Sequence, residues 1–186
     1  MELTRRGAIR LAGAAGLAAA AGAVLSVAPA SPALADQNGW RWCRQCQGLW
    51  FPGNPAHNVC PAYGVNGHSL TGSGNYTLPL TSDVFNGDQD GWFWCAQCAG
   101  LWFGLSPTTG ECPAPTPGTT GHEFRGSTVY SLHQNGGRGQ SNWRWCQDCQ
   151  GLWFAGNGTS GKCPARARLG LGHNLAGSGN YHIDVN

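Results

Sequence analysis

Nine cysteines fall into three matching sets, and this pattern constrains the fold more than any other feature of the chain. Each set reads Cys-x₂-Cys, then a third Cys after 13 intervening residues, then a His after seven or nine more. The wider unit Trp-x-Trp-Cys-x₂-Cys-x-Gly-Leu-Trp-Phe recurs with starts 52 and 51 residues apart. A fixed period of this size predicts a repeat protein. We place the repeats at residues 39–90, 91–141 and 142–186.

The cysteine count within one repeat indicates a metal site. Three cysteines cannot pair completely inside a repeat, so a disulfide framework needs bridges between repeats and still leaves one thiol. Zinc instead takes four N or S ligands, and Cys₃His is a known structural set. Disulfides with free thiols and another metal such as iron are the alternatives. We predict three structural zinc ions per chain, held by Cys43, Cys46, Cys60 and His68, by Cys95, Cys98, Cys112 and His122, and by Cys146, Cys149, Cys163 and His173.

These ligand sets also bear on catalysis. Four protein ligands leave no coordination position for a substrate water, which argues against a metalloenzyme. The sequence has no nucleophile elbow, phosphate loop or His-Glu-x-x-His motif, and no carboxylate recurs in register across the repeats. We therefore predict that the protein is not an enzyme.

The first 35 residues differ in composition from the repeats. A basic start with Arg5, Arg6 and Arg10 precedes an apolar stretch that ends in Ala33-Leu34-Ala35. This layout predicts a signal peptide cleaved after Ala35, with a membrane anchor as the alternative. The basic start resembles the twin-arginine export signal. That resemblance implies export of an already folded chain, so that zinc loaded in the cytoplasm protects the thiolates outside the cell.

Removing residues 1–35 leaves a mature domain, 36–186, with eight basic and eight acidic side chains. Composition therefore gives no support for nucleic-acid binding. The mature domain also lacks an apolar run long enough to span a membrane. We expect a secreted, monomeric protein.

Alternating aromatic residues predict short strands in each repeat. The Trp-x-Trp segment has the period of a strand, Cys-x₂-Cys turns the chain, and Gly-Leu-Trp-Phe returns as a second strand. We expect two more short strands per repeat and no helix outside the signal peptide. Those further strands would lie around Leu70, Phe124 and Leu175 and around Tyr76, Tyr130 and Tyr181.

Two resemblances follow from these motifs. Trp-Cys-x₂-Cys-x-Gly-Leu-Trp-Phe, followed by Cys-Pro and Gly-His, resembles a zinc ribbon over about 35 residues of each repeat. It departs from the ribbon in the second ligand pair, where Cys and His are too far apart for a knuckle. Three units of about four short strands also resemble a β-trefoil in plan. Together they imply an all-β fold of three tandem zinc-ribbon-like units, packed as one pseudo-threefold body because the connectors are short. Three separate beads are the alternative.

The tryptophans have two interpretations, core packing or ligand contact. Core packing is expected for the Trp of Gly-Leu-Trp-Phe, whereas the Trp-x-Trp pairs are candidate contacts for a glycan or another cell-surface or extracellular partner. The function predicted is a secreted, non-catalytic binding module. An enzyme or enzyme inhibitor with a site in a divergent loop such as 166–171, and extracellular zinc buffering, are the alternatives. The candidate ligand contacts are Trp40, Trp42, Trp92, Trp94, Trp143 and Trp145.

Overall fold

Strands dominate the computed structural model, which describes residues 36–53, 58–80 and 88–186. The predicted signal peptide, residues 1–35, lies outside the described residues. The strands are β1 (Gln37–Trp42), β2 (Leu49–Trp50), β3 (Tyr76–Leu78), β4 (Asp88–Trp94), β5 (Leu101–Phe103), β6 (Val129–Gln134), β7 (Gln140–Trp145), β8 (Leu152–Phe154) and β9 (Tyr181–Val185).

Each repeat contributes the same three strands to one sheet. The long Trp-x-Trp strand pairs antiparallel with the short strand after the Cys-x₂-Cys turn and with the strand that begins at or next to the tyrosine. The repeats are joined through β9, which pairs with both β3 and β6. An isolated bridge between Leu80 and Tyr130 links the first repeat to the second, so the sheet is nearly closed.

The long strands carry an irregularity that orients their tryptophans. The register of each shifts just before the first tryptophan, next to a residue with positive φ: Gly39, Gly91 or Asn142. A bulge residue in the left-handed region has this conformation, which Gly and Asn adopt most readily. Beyond the bulge the alternation of the strand turns one tryptophan of each pair into the core.

The core lies where the three repeats meet. The first tryptophan of each long strand is fully buried and meets the tyrosine ring of another repeat edge to face. The pairs are Trp40 with Tyr130, Trp92 with Tyr181 and Trp143 with Tyr76, with ring centroids 5.1–5.2 Å apart. Each contact runs from one repeat to the next, and the third returns to the first. The contacts therefore close in a circle.

The predicted all-β fold is confirmed by the strands of the sheet, and the single body is confirmed because the described residues of all three repeats belong to one compact unit. The predicted fourth strand of each repeat is wrong. Leu70, Phe124 and Leu175 are exposed, and each accepts a hydrogen bond from the backbone N–H of the serine three residues later, which makes a turn. The expectation of no helix is also wrong, because Pro164–Leu169 form a short 3₁₀ helix.

No helix within the described ranges has the length and apolarity needed to cross a bilayer.

Candidate metal centres

The Cys-x₂-Cys turns are built by the backbone. In the first repeat the Cys43 carbonyl accepts a hydrogen bond from Gln47 N, and Cys43 N donates to the Gly48 carbonyl. Gly48 N also points at Cys46 Sγ, at 3.4 Å. The same two backbone bonds close the turns that start at Cys95 and Cys146. Each turn thereby presents two sulfur atoms on the same side of the chain.

The structure brings the four predicted side chains of each repeat together. In each cluster the four candidate ligand atoms all lie within 4.8 Å of one another. The first and third sulfurs are 3.9, 3.8 and 3.8 Å apart in successive repeats. The second sulfur lies 3.4, 3.6 and 3.5 Å from the Nδ1 atom of the histidine. None of the nine cysteines forms a disulfide, so all nine sulfurs are free to bind metal.

The clusters are shielded from solvent. All nine cysteines are buried, as are His122 and His173, whereas His68 is partly exposed. Each histidine ring stacks on the tryptophan of Gly-Leu-Trp-Phe in its own repeat, with centroids 4.9–5.3 Å apart. The predicted core role of Trp50, Trp102 and Trp153 is confirmed, because all three are buried.

Hydrogen bonds among the thiols split their pKa values. In the first cluster, bonds from Cys46 and Cys60 hold the pKa of Cys43 well below its usual range. The bond to Cys43 raises the pKa of Cys60 to about 11, and burial raises the pKa of Cys46 far above its usual value. The other clusters divide in the same way, with Cys95 and Cys146 lowered. A metal ion must displace protons from the remaining thiols, so metal affinity rises with pH.

The three centres surround a common apolar pocket. This space of about 40 Å³ is lined by the same five residue types from each repeat: one Cys, one Gly, one Leu, one Pro and one His. The lining cysteines are the second cysteine of each centre, Cys46, Cys98 and Cys149. Beside this pocket, the short strands join repeat to repeat: Phe51 N, Phe103 N and Phe154 N donate to the carbonyls of Ala99, Gln150 and Gln47. The centres therefore form part of the junction between repeats.

The Trp-x-Trp residues divide into two groups. Trp40, Trp92 and Trp143 have no exposed surface, so the prediction that they contact a ligand is wrong. A strand buries alternate side chains, and here the first of each pair faces the core. The second of each pair, Trp42, Trp94 and Trp145, is partly buried and lies at the edge of the core.

Two sets of glutamines accept hydrogen bonds from core aromatic side chains, a role that was not predicted from the sequence. Gln37, Gln89 and Gln140 accept hydrogen bonds from Tyr130, Tyr181 and Tyr76 of another repeat. Gln47 and Gln150 accept from the indole N–H of Trp42 and Trp145. The signal was present in the sequence, because the first set stands three residues before Trp40, Trp92 and Trp143.

A surface cleft of about 420 Å³ lies beside Trp94 in the second repeat. Besides this indole it is lined by Gln97, Thr116, Glu123 and Arg125, with two alanines. Ala99 takes the place that Gln47 and Gln150 hold in the other repeats, and Trp94 Nε1 has no hydrogen-bond partner among the described residues. This cleft combines an aromatic side chain with amide, hydroxyl and charged groups.

No protein-family model, curated protein or solved structure matches this chain.

Proposed function

We propose that the protein is a secreted, non-catalytic binding module whose fold is stabilised by three structural zinc ions. The observation that carries the zinc assignment is the spacing of the ligand atoms. A tetrahedral zinc ion with bonds of about 2.3 Å to S and about 2.0 Å to N sets S–S edges of about 3.8 Å and S–N edges of about 3.5 Å. One edge of each kind fits in every cluster: the first and third sulfurs lie 3.8–3.9 Å apart, and the second sulfur lies 3.4–3.6 Å from the histidine Nδ1.

The chemistry of the donors supports the same ion. Three thiolates with one imidazole suit a borderline-soft metal, and they disfavour magnesium or calcium, which take oxygen ligands. Zinc bound here stabilises the fold and does not catalyse a reaction, because the four protein ligands leave no coordination position for water. The repeats start only 52 and 51 residues apart, a size at which natural domains commonly rely on a structural metal.

The ligand that we propose is a glycan bound at the cleft beside Trp94. The apolar face of a sugar ring packs on an indole. Its hydroxyls both donate and accept, which suits an amide, a carboxylate and a guanidinium side by side. Glu123 and Arg125 lie 3.8 Å apart at this cleft, and Arg125 is largely exposed. The cleft volume falls within the range usual for small-ligand sites.

The proposed location follows from residues 1–35. The basic start, apolar stretch and Ala33-Leu34-Ala35 end support export with cleavage after Ala35. The twin-arginine resemblance supports export after folding. Nine buried, unpaired thiols in an exported protein agree with zinc already bound at that stage.

A glycan array probed with the zinc-loaded protein tests the binding function. We expect binding to a defined set of glycans, weakened by Arg125→Ala and by Glu123→Gln. Arg168→Ala is the matched control, because it removes an exposed arginine from another repeat. An array that stays blank for the folded protein contradicts glycan binding, and equal losses for Arg125→Ala and Arg168→Ala contradict the location.

A further inference from the structure

The three centres differ in what holds the histidine on the side away from the sulfurs. His122 Nε2 lies 3.1 Å from the Cys149 carbonyl, and His173 Nε2 lies 3.1 Å from the Cys46 carbonyl. With Nδ1 of each ring facing a sulfur, Nε2 carries the hydrogen and donates it to that carbonyl. Each of these two rings is therefore fixed from both sides, by its own centre and by a neighbouring repeat.

Among the residues that the structure describes, the first centre (Cys43, Cys46, Cys60 and His68) has no such second anchor. His68 Nε2 is buried and has no hydrogen-bond partner in the part of the chain that the structure describes. The His68 side chain is partly exposed, whereas His122 and His173 are 7% and 8% exposed. Its stacking on Trp50 resembles that in the other repeats, so the difference lies in the anchor.

The sequence of the loop before the histidine explains the difference. Gly110 and Gly161, each two residues before the third cysteine, pack so closely on the anchoring carbonyls of Cys149 and Cys46 that a Cβ atom would overlap them. The first repeat has Asn58 at this position, and its loop from Cys60 to His68 is two residues shorter than the others. A bulkier residue and a shorter loop keep this repeat from approaching its neighbour in the same way.

The backbone of His68 is also held differently. His68 N donates to the side-chain oxygen of Asn58, at 2.8 Å. His122 N and His173 N instead donate to the main-chain carbonyls of Thr109 and Ser160, at 2.9 and 2.7 Å. The hold on the His68 backbone therefore depends on the rotamer of the Asn58 side chain, whereas the other two loops are held by the main chain.

We propose that the first centre is the exchangeable metal site, while the centres of the second and third repeats release their ions much more slowly. The inference rests on the proposed structural-zinc function. Partners that orient a metal-bound histidine typically contribute a factor of about 10 to 100 in metal affinity. The first ion is therefore released at least about tenfold faster than the other two. Exchange of metal with the surroundings is confined to one ion in three, and the fold persists during it.

Release to an excess of the chelator 4-(2-pyridylazo)resorcinol measures this directly in the purified, zinc-loaded protein. We expect one equivalent in a fast phase and two in a slow phase. A pulse of N-ethylmaleimide after the fast phase, followed by peptide mapping, should label Cys43, Cys46 and Cys60. Release of three ions in one phase, or labels on other cysteines, overturns the proposal, and neither experiment needs a variant.

A matched pair of variants tests the anchor as the cause. Gly110→Ala pushes on the Cys149 carbonyl and should convert the second centre into a fast site, giving two fast equivalents. Gly118→Ala lies in the same repeat, also at positive φ, and a Cβ there meets no atom of the described residues within 4 Å, so it should leave one fast equivalent. One fast equivalent in both variants contradicts the anchor. A protein that carries no zinc before the chelator is added contradicts the structural-zinc function itself.

Discussion

Gly161 offers a sharp test of how the third repeat closes on the first. Its φ is +62°, and a Cβ added there would overlap the carbonyl oxygen of Cys46. That oxygen accepts one hydrogen bond from Lys162 N and a second from His173 Nε2. Gly158 has a φ of +68° in the same loop, and a Cβ there has no neighbour within 4 Å in the described part of the chain. The pair Gly161→Ala and Gly158→Ala therefore separates backbone strain from loss of the junction.

The two substitutions share one cost and differ in the other. An alanine in the left-handed region costs about 1–2 kcal/mol in either position, partly offset by about 0.4–1 kcal/mol from a less flexible unfolded chain. At Gly161 the Cys46 carbonyl must also move. Losing its two hydrogen bonds and leaving the buried His173 N–H unpaired adds about 2–4 kcal/mol. We expect Gly161→Ala to be the less stable variant by that added amount.

Urea unfolding of the zinc-loaded protein, followed by tryptophan fluorescence, gives both free energies of unfolding on one scale. The wild type fixes the reference, and equal zinc content in the three samples is checked before unfolding. If both alanine variants lose the same stability, the third repeat does not close on the Cys46 carbonyl and the described junction is wrong.

Two further predictions concern the core. Burial raises the pKa of Tyr130 and Tyr181 to about 12 from an unfolded value of 10.0, so the unfolded chain ionises first. The stability that the two neutral tyrosines contribute is complete below pH 10 and is lost as pH rises through 12, which lowers the free energy of unfolding by up to about 2–3 kcal/mol per tyrosine. Urea unfolding between pH 9 and 12 measures this loss, and a flat stability profile contradicts the prediction. Leu132→Ala empties a fully buried site and should cost about 2–5 kcal/mol, against less than about 0.5 kcal/mol for Leu175→Ala, which is 55% exposed. Thermal unfolding of the two leucine variants compares these costs, and similar melting temperatures would exclude Leu132 from the core.

The ligand sets could be predicted from the sequence because metal coordination demands particular side chains at a short, fixed spacing. Cys43 and Cys46 meet through a local turn, and the repeat identified the rest by register. The prediction that Trp40, Trp92 and Trp143 contact a ligand is wrong because the spacing of a strand does not show which of its faces is buried. A period of two shows that Trp40 and Trp42 face opposite ways, but the face that meets the core depends on pairing register and on the bulge at Gly39.

The contacts that close the three repeats into one body could not be predicted from local sequence patterns. Tyr130 reaches Gln37 across 93 residues of chain, and Tyr76 reaches Gln140 across 64. No spacing rule links such positions, and only their recurrence in each repeat gave a hint. The fourth strand was predicted from isolated apolar residues such as Leu70, which the structure places in exposed turns because the repeat is too small to bury them.

Metal analysis combined with a thiol count is the most direct test of the central claim that three Cys₃His centres hold the fold together. Purified protein, measured for zinc by atomic emission and for thiols after denaturation in chelator, should contain three zinc ions and nine free thiols per chain. Removing all three zinc ions should unfold the protein, since structural sites couple binding to folding. Fewer than about two zinc ions together with blocked thiols would contradict the account, and would point to a disulfide framework instead.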